Sequence, residues 1–280
     1  MKDNNQHLHG GDSSTNYQAN RDITVTGLTY SETERLFITM FKANFYDLQE
    51  EAKDLALKRA EEITNKFLEK LRTENPQLIE NTKEPDVRFG IYEVQKAYAR
   101  SGNVNTGDML INLLVERVKK ENESLAALVL NEALTIIPKI TKRQIDILTS
   151  MFLVRNCKVT SETYLLYALN KAMPHDFIEE GEKISFYEHL IYTGVISHDI
   201  TVMGHQNLQY LINANYPKNS NANFDVESHV SEEEHNKIFN NWDKSLMKGY
   251  ALTSVGKAIA LTNYNLLFNM NLSLSVWIND

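Results

Sequence analysis

Cys157 is the single cysteine of the chain, so no disulfide can close within it and no thiolate cluster can hold zinc. Positive charge is also scarce: 29 Lys and Arg stand against 37 Asp and Glu, a formal net charge of −8. That balance argues against non-specific binding to DNA, RNA or anionic lipid, which needs a local surplus of cations. The start, Met1 to Gln6, lacks the apolar core of a secretory signal, and the expected location is cytoplasmic. Uninterrupted apolar runs are missing too. Residues 258 to 278 carry no charge, but Asn263, Asn265, Asn269 and Asn271 break the run, and burying those amides in lipid is costly, so integral membrane insertion is not expected. No Gly-rich loop ends in Lys-Ser or Lys-Thr, and no His-Glu-x-x-His helix is present. Accordingly no catalytic, cofactor-binding or metal residue is assigned, and no cofactor is expected.

What the chain does contain is 280 residues, 42% of them hydrophobic, enough to bury a substantial core. The reading is mainly α, with a short N-terminal β oligomerisation element at 1–27, a long-helix and helical-bundle domain at 28–138, and a divergent winged-helix-like α+β domain with an insertion at 139–280. From Ser14 to Val25 residues alternate, Ser14, Asn16, Gln18 and Asn20 on one side and Thr15, Tyr17, Ala19 and Arg21 on the other. A period of two is the strand signal. One isolated strand buries too little to be stable, so its backbone groups would be satisfied by copies of itself. Asp12, Ser14, Thr15, Asn16, Tyr17, Gln18, Ile23 and Val25 are therefore the candidate oligomerisation residues. The competing reading of the same stretch is a flexible Asn-rich leader.

The stretch from Gly11 to Val25 resembles an element of the form Gly-Asp-x-Ser-Thr-Asn-x-Gln-Ala-x-x-Asp-Ile-x-Val found before varied domains in bacterial proteins, some associated with defence against phage. Gly11, Asp12, Ser14, Thr15, Asn16, Gln18, Ala19, Asp22, Ile23 and Val25 match, while Asn20 stands where Gly is common. The resemblance implies a small shared β assembly and an effector or sensor role, and it implies no substrate.

Downstream, Ser31-Glu32-Thr33-Glu34 reads as a capping box. The residues after it repeat on one face from Phe37 to Leu71, about ten turns without Gly or Pro. So long a stripe either spans several packed helices or pairs with its own copy as a coiled coil. Leu125 to Ile137 is apolar almost all round and ends at Pro138, marking a central helix. Thr141 to Gln144 can cap the next helix, Thr160 or Ser161 another, and a short helix is expected from Ser185 to Thr193. Leu190 to Ile196, followed much later by Tyr250 to Ala260, resembles the helix-to-wing and "leucine-threonine, glycine" parts of winged-helix domains. More than fifty residues separate the two parts, where a short hairpin is usual. The expected reading helix holds Glu182, Lys183, His189 and Tyr192 instead of several cations. A helix or strand is expected around Leu208 to Ile212, a helix from Glu233 to Met247, and at Leu272 to Ile278 a half-buried strand, favoured over a continuation of the preceding helix.

These observations favour an oligomeric protein-interaction, sensor or effector protein that contacts itself and an unidentified protein partner. Two alternatives stay open: a metal-dependent hydrolase drawing on His189, His198, Asp199 and His205, and a winged-helix nucleic-acid regulator, for which the charge balance gives little support.

Overall fold

Caps and breakers decide where each helix begins and ends. The computed structural model describes residues 29–43, 50–159, 161–173, 184–200, 207–215 and 230–278. The first helix, α1 (Tyr30–Ala43), starts at a capping box two residues earlier than the sequence pattern suggested. Thr29 N–H donates to Glu32 Oε2 at 2.7 Å, and Glu32 N–H returns a bond to Thr29 Oγ1 at 3.3 Å. The long apolar stripe is carried by α1 and a second helix, α2 (Glu50–Glu74), which pack on each other. Phe37, Ile63, Phe67 and Leu71 thus bury one another's surroundings inside a single chain.

Pro85 opens α3 (Pro85–Ser101), and Gly102, with φ of +60°, closes it in the left-handed conformation. Asn103 then caps α4 (Val104–Val118) by accepting from Thr106 N–H at 3.0 Å. Ser124 caps α5 (Leu125–Ile136), whose Ala127, Leu130, Ala133 and Leu134 are buried, as expected of a helix apolar nearly all round. At the end of α4, Arg117 is fully buried and held by Asp86, Asn131 Oδ1, Asn122 Oδ1 and the Lys120 carbonyl. Its charge is tolerated because every bond around it is made to an oxygen acceptor.

A full capping box on Thr141 and Gln144 begins α6 (Lys142–Arg155), and Ser161 caps α7 (Glu162–Ala172). Helix α8 (Ile184–Tyr192) leads directly into β1 (Ile196–His198). Helices α9 (Leu208–Asn215) and α10 (Glu232–Lys244) follow, then β2 (Tyr250–Leu252) and α11 (Ser254–Phe268). Strands β1 and β2 pair antiparallel, with Ile196 opposite Leu252, Ser197 opposite Ala251 and His198 opposite Tyr250. Helix α11 packs against α6 and also against α5 and α4, so one hydrophobic core runs from Phe37 to Ile278.

Two expectations need correction. The fold class placed the β structure at the N-terminus, whereas the strands among the described residues are β1 and β2, near the C-terminus. A strand is stable where a partner satisfies its backbone, and these two segments supply that partner to each other across an insertion. The segment 1–27, with Asp12, Ser14, Thr15, Asn16, Tyr17, Gln18, Ile23 and Val25, lies outside the described residues. The second correction concerns Leu272 to Ile278, which forms a short 3₁₀ turn at Leu274–Val276 in place of a strand. Asn269, with φ of +50°, turns the chain, and Asn265 then bonds Leu272 through both its amide groups at 3.0 and 3.1 Å. Those bonds satisfy the backbone locally, and Trp277 docks edge-on to Phe152 with ring centroids 4.9 Å apart. No described helix is long and apolar enough to cross a membrane.

Candidate functional site

The surface built by α8, β1 and β2 owes its shape to two glycines and a threonine. Helix α8 ends in a Schellman motif: Gly194, with φ of +72°, donates to Ile191 O at 2.9 Å, and Val195 N–H reaches Leu190 O at 3.2 Å. Thr253 ties the second half of the motif to this turn. Its N–H donates to Val195 O at 3.1 Å, its hydroxyl donates to Gly194 O at 2.7 Å, and the same oxygen caps α11 by accepting from Gly256 N–H at 3.1 Å. Gly256 is required by proximity, since a Cβ there would stand 2.0 Å from Val195 O. The "leucine-threonine, glycine" pattern therefore marks a place where a helix start presses against the chain leaving α8.

Arg155 anchors the surface from beneath. From the end of α6 it pairs with Asp199 Oδ2 at 2.5 Å and donates to Tyr250 O at 3.0 Å and to Lys248 O. Its guanidinium also lies 5.7 Å from the Trp242 ring centre on α10. Tyr187, fully buried on α8, stacks on Tyr250 with centroids 4.9 Å apart and planes within 8°. Helix, ladder and insertion are thus joined by side chains from four elements.

This scaffold displays three large apolar side chains. Tyr192 is 86% exposed, Ile184 64% and Ile200 96%. Ser185 and Glu188 share the outer face of α8 with Ile184 and Tyr192. Neither α8 nor β1 nor β2 contains a Lys or Arg.

Of His189, His198, Asp199 and His205, the described three meet different neighbours. His189 Nδ1 meets Gln144 Nε2 at 3.0 Å, Asp199 is committed to Arg155, and His198 leans on the Tyr250 ring at 5.2 Å. His205 lies outside the described residues, as do Glu182 and Lys183 of the expected reading helix. Among the described residues no group of three or more His, Cys, Asp or Glu could hold a metal ion. Burial pushes the Cys157 thiol up, which opposes thiolate chemistry there despite the neighbouring Lys158. Arg155 was missed by sequence reasoning, because nothing in its local context signals bonds to positions 199, 248 and 250.

A family model described only as ":-like" matches residues 27–234 and 220–278. Neither the search of curated proteins nor that of solved structures found a match.

Proposed function

The chain belongs to the family whose model spans these residues, and we propose that it acts as a protein-contact module whose contact surface is the outer face of α8 with the end of β1. The observation that carries this reading is the combination of exposed Ile184, Tyr192 and Ile200 with the lack of any cation on α8, β1 and β2. Aromatic and aliphatic side chains on a rigid element favour protein interfaces. A helix that reads nucleic acid needs Arg, Lys, Asn or Gln at the groove and cations for phosphates. Three helices, α6, α7 and α8, precede β1, which pairs with β2 across the insertion of α9 and α10, and this order supports a divergent winged-helix-like arrangement turned to protein contact. The resemblance of Gly11 to Val25 to a leader of phage-defence proteins supports a sensor or effector role in such defence, with the chain also contacting copies of itself.

The test is photo-crosslinking in cells. A photoreactive residue in place of Tyr192 should yield a discrete protein adduct, at twice the chain mass for a self-contact or at another mass for a different partner. The same group in place of Lys58 on α2 should not. Absence of an adduct at Tyr192, together with salt-sensitive binding of a labelled DNA duplex by the purified chain, would refute the protein-contact reading.

A further inference from the structure

A second feature, separate from the α8 surface, is a cleft of ≈ 650 Å³ where the turn between α3 and α4, the connection from α5 to α6 and the last turns of α11 meet. Close-packed interiors leave few gaps much larger than a water, and this volume falls within the range of small-molecule sites, about 300–1,000 Å³. Its apolar lining comes from Met109, Ile137, Ile145 and Leu267, while Arg100, Lys142 and Asp108 bring charge and Asn103 and Asn105 add amides. The first-turn amides beside it do not recognise a ligand as free donors, because the Asn103 and Thr141 side chains already bond Thr106 N–H and Gln144 N–H.

Two groups in the cleft have bonding capacity to spare. Asn263 lines it although only 3% exposed. Its amide nitrogen donates to Thr149 Oγ1 at 2.8 Å and to Asp146 Oδ1 at 3.4 Å, and its carbonyl oxygen accepts no hydrogen bond among the described residues. The Asp146 carboxyl behind it is pushed up by burial, against the opposing pull of Lys142 and Asn263. The second group is Arg100, which lines the cleft and makes no ion pair among the described residues.

We infer that the cleft binds an amphipathic organic anion: an apolar body against Met109, Ile145 and Leu267, an acidic group facing Arg100, and an N–H or O–H donor for the Asn263 carbonyl. This inference goes beyond the protein-contact reading and does not depend on it.

The probe is 8-anilinonaphthalene-1-sulfonate, which combines an aromatic body, one sulfonate and one N–H. Titrated into the full chain and followed by fluorescence and calorimetry, it should saturate at one molecule per chain. Arg100→Gln should weaken binding about fivefold, the upper range for a solvent-exposed ion pair. Leu266→Trp, which fills the rim from a partly exposed position, should abolish it while leaving the circular dichroism unchanged. Tyr192→Ser, on the other surface, should bind as the parent does. No saturable site, or a site insensitive to Arg100→Gln, overturns the inference. So does equal affinity for uncharged 1-anilinonaphthalene. If Leu266→Trp does not fold, Arg100→Gln and the uncharged analogue decide the question between them.

Discussion

Gly256→Ala should destabilise the protein, although the helix propensity of alanine points the other way. Within α11 the exchange gains up to about 1 kcal/mol of intrinsic helix preference. The new Cβ, however, would stand 2.0 Å from Val195 O, where an unstrained carbon-to-oxygen contact needs about 3.3 Å, so roughly 1.3 Å must open. Val195 O cannot retreat freely, because it accepts the Thr253 N–H bond at 3.1 Å. Overpacking of this kind costs about 2 kcal/mol, and loss of the hydrogen bond about 1 kcal/mol more. Set against the propensity gain, the net expectation is a loss of about 2 kcal/mol. Urea unfolding followed by far-UV circular dichroism, compared at equal slope, measures it. Gly90→Ala is the control: its Cβ would meet only side-chain ends, Leu114 Cδ1 at 3.3 Å and Leu134 Cδ1 at 3.4 Å, and the change should be near neutral. A Gly256→Ala chain as stable as the parent would show that α11 does not press on the exit from α8 as described.

Arg155→Met should cost about 3–5 kcal/mol, because it removes the cation beside the 8%-exposed Asp199 carboxylate, and Arg155→Met with Asp199→Leu should recover part of the loss, the bonds to Tyr250 O and Lys248 O staying absent. Equal stability of the single and double variants in a denaturant titration would contradict that account. Thr253→Val removes both the α11 cap and the bond to Gly194 O and should cost about 1–2 kcal/mol, read as a lower urea midpoint. Burial alone would raise the Asp86 carboxyl, but bonds from Arg117 and Asn131 hold it below its ordinary value of 3.8. The stability this carboxylate adds is therefore complete above that ordinary value and is lost as pH falls through the lowered native one. Asp86→Asn should remove that part of the acid sensitivity; an unchanged stability profile below pH 4 would argue against it.

The readable part of this fold was local. Thr141 and Gln144 announce the start of α6, and Ser161 that of α7, because a cap and its N–H partners lie within three residues of one another. Apolar spacing likewise marked the central helix α5, whose pattern depends only on the helical period. Lys183 is the one Lys or Arg named in the expected reading helix, and that scarcity needs no coordinates. Local signals misled where more than one outcome was open to them. Ser31 and Thr29 both precede a glutamate three residues on, and the pattern alone cannot choose between the two boxes. The alternation of Leu272 to Ile278 is strand-like, yet Asn265 and Phe152 hold the segment as a turn.

Sequence by itself determined the helical character, the starts of α5, α6 and α7 and the scarcity of cations near α8, since each follows from short-range periodicity, capping or composition. Tertiary structure alone decided that β1 pairs with β2 across the insertion and that Arg155 gathers Asp199, Lys248 and Tyr250. It also decided that Asn263 lies at a cleft shared by α3, α4, α6 and α11. Those arrangements join residues tens to more than a hundred positions apart, and such meetings depend on how whole helices pack, which no local spacing encodes.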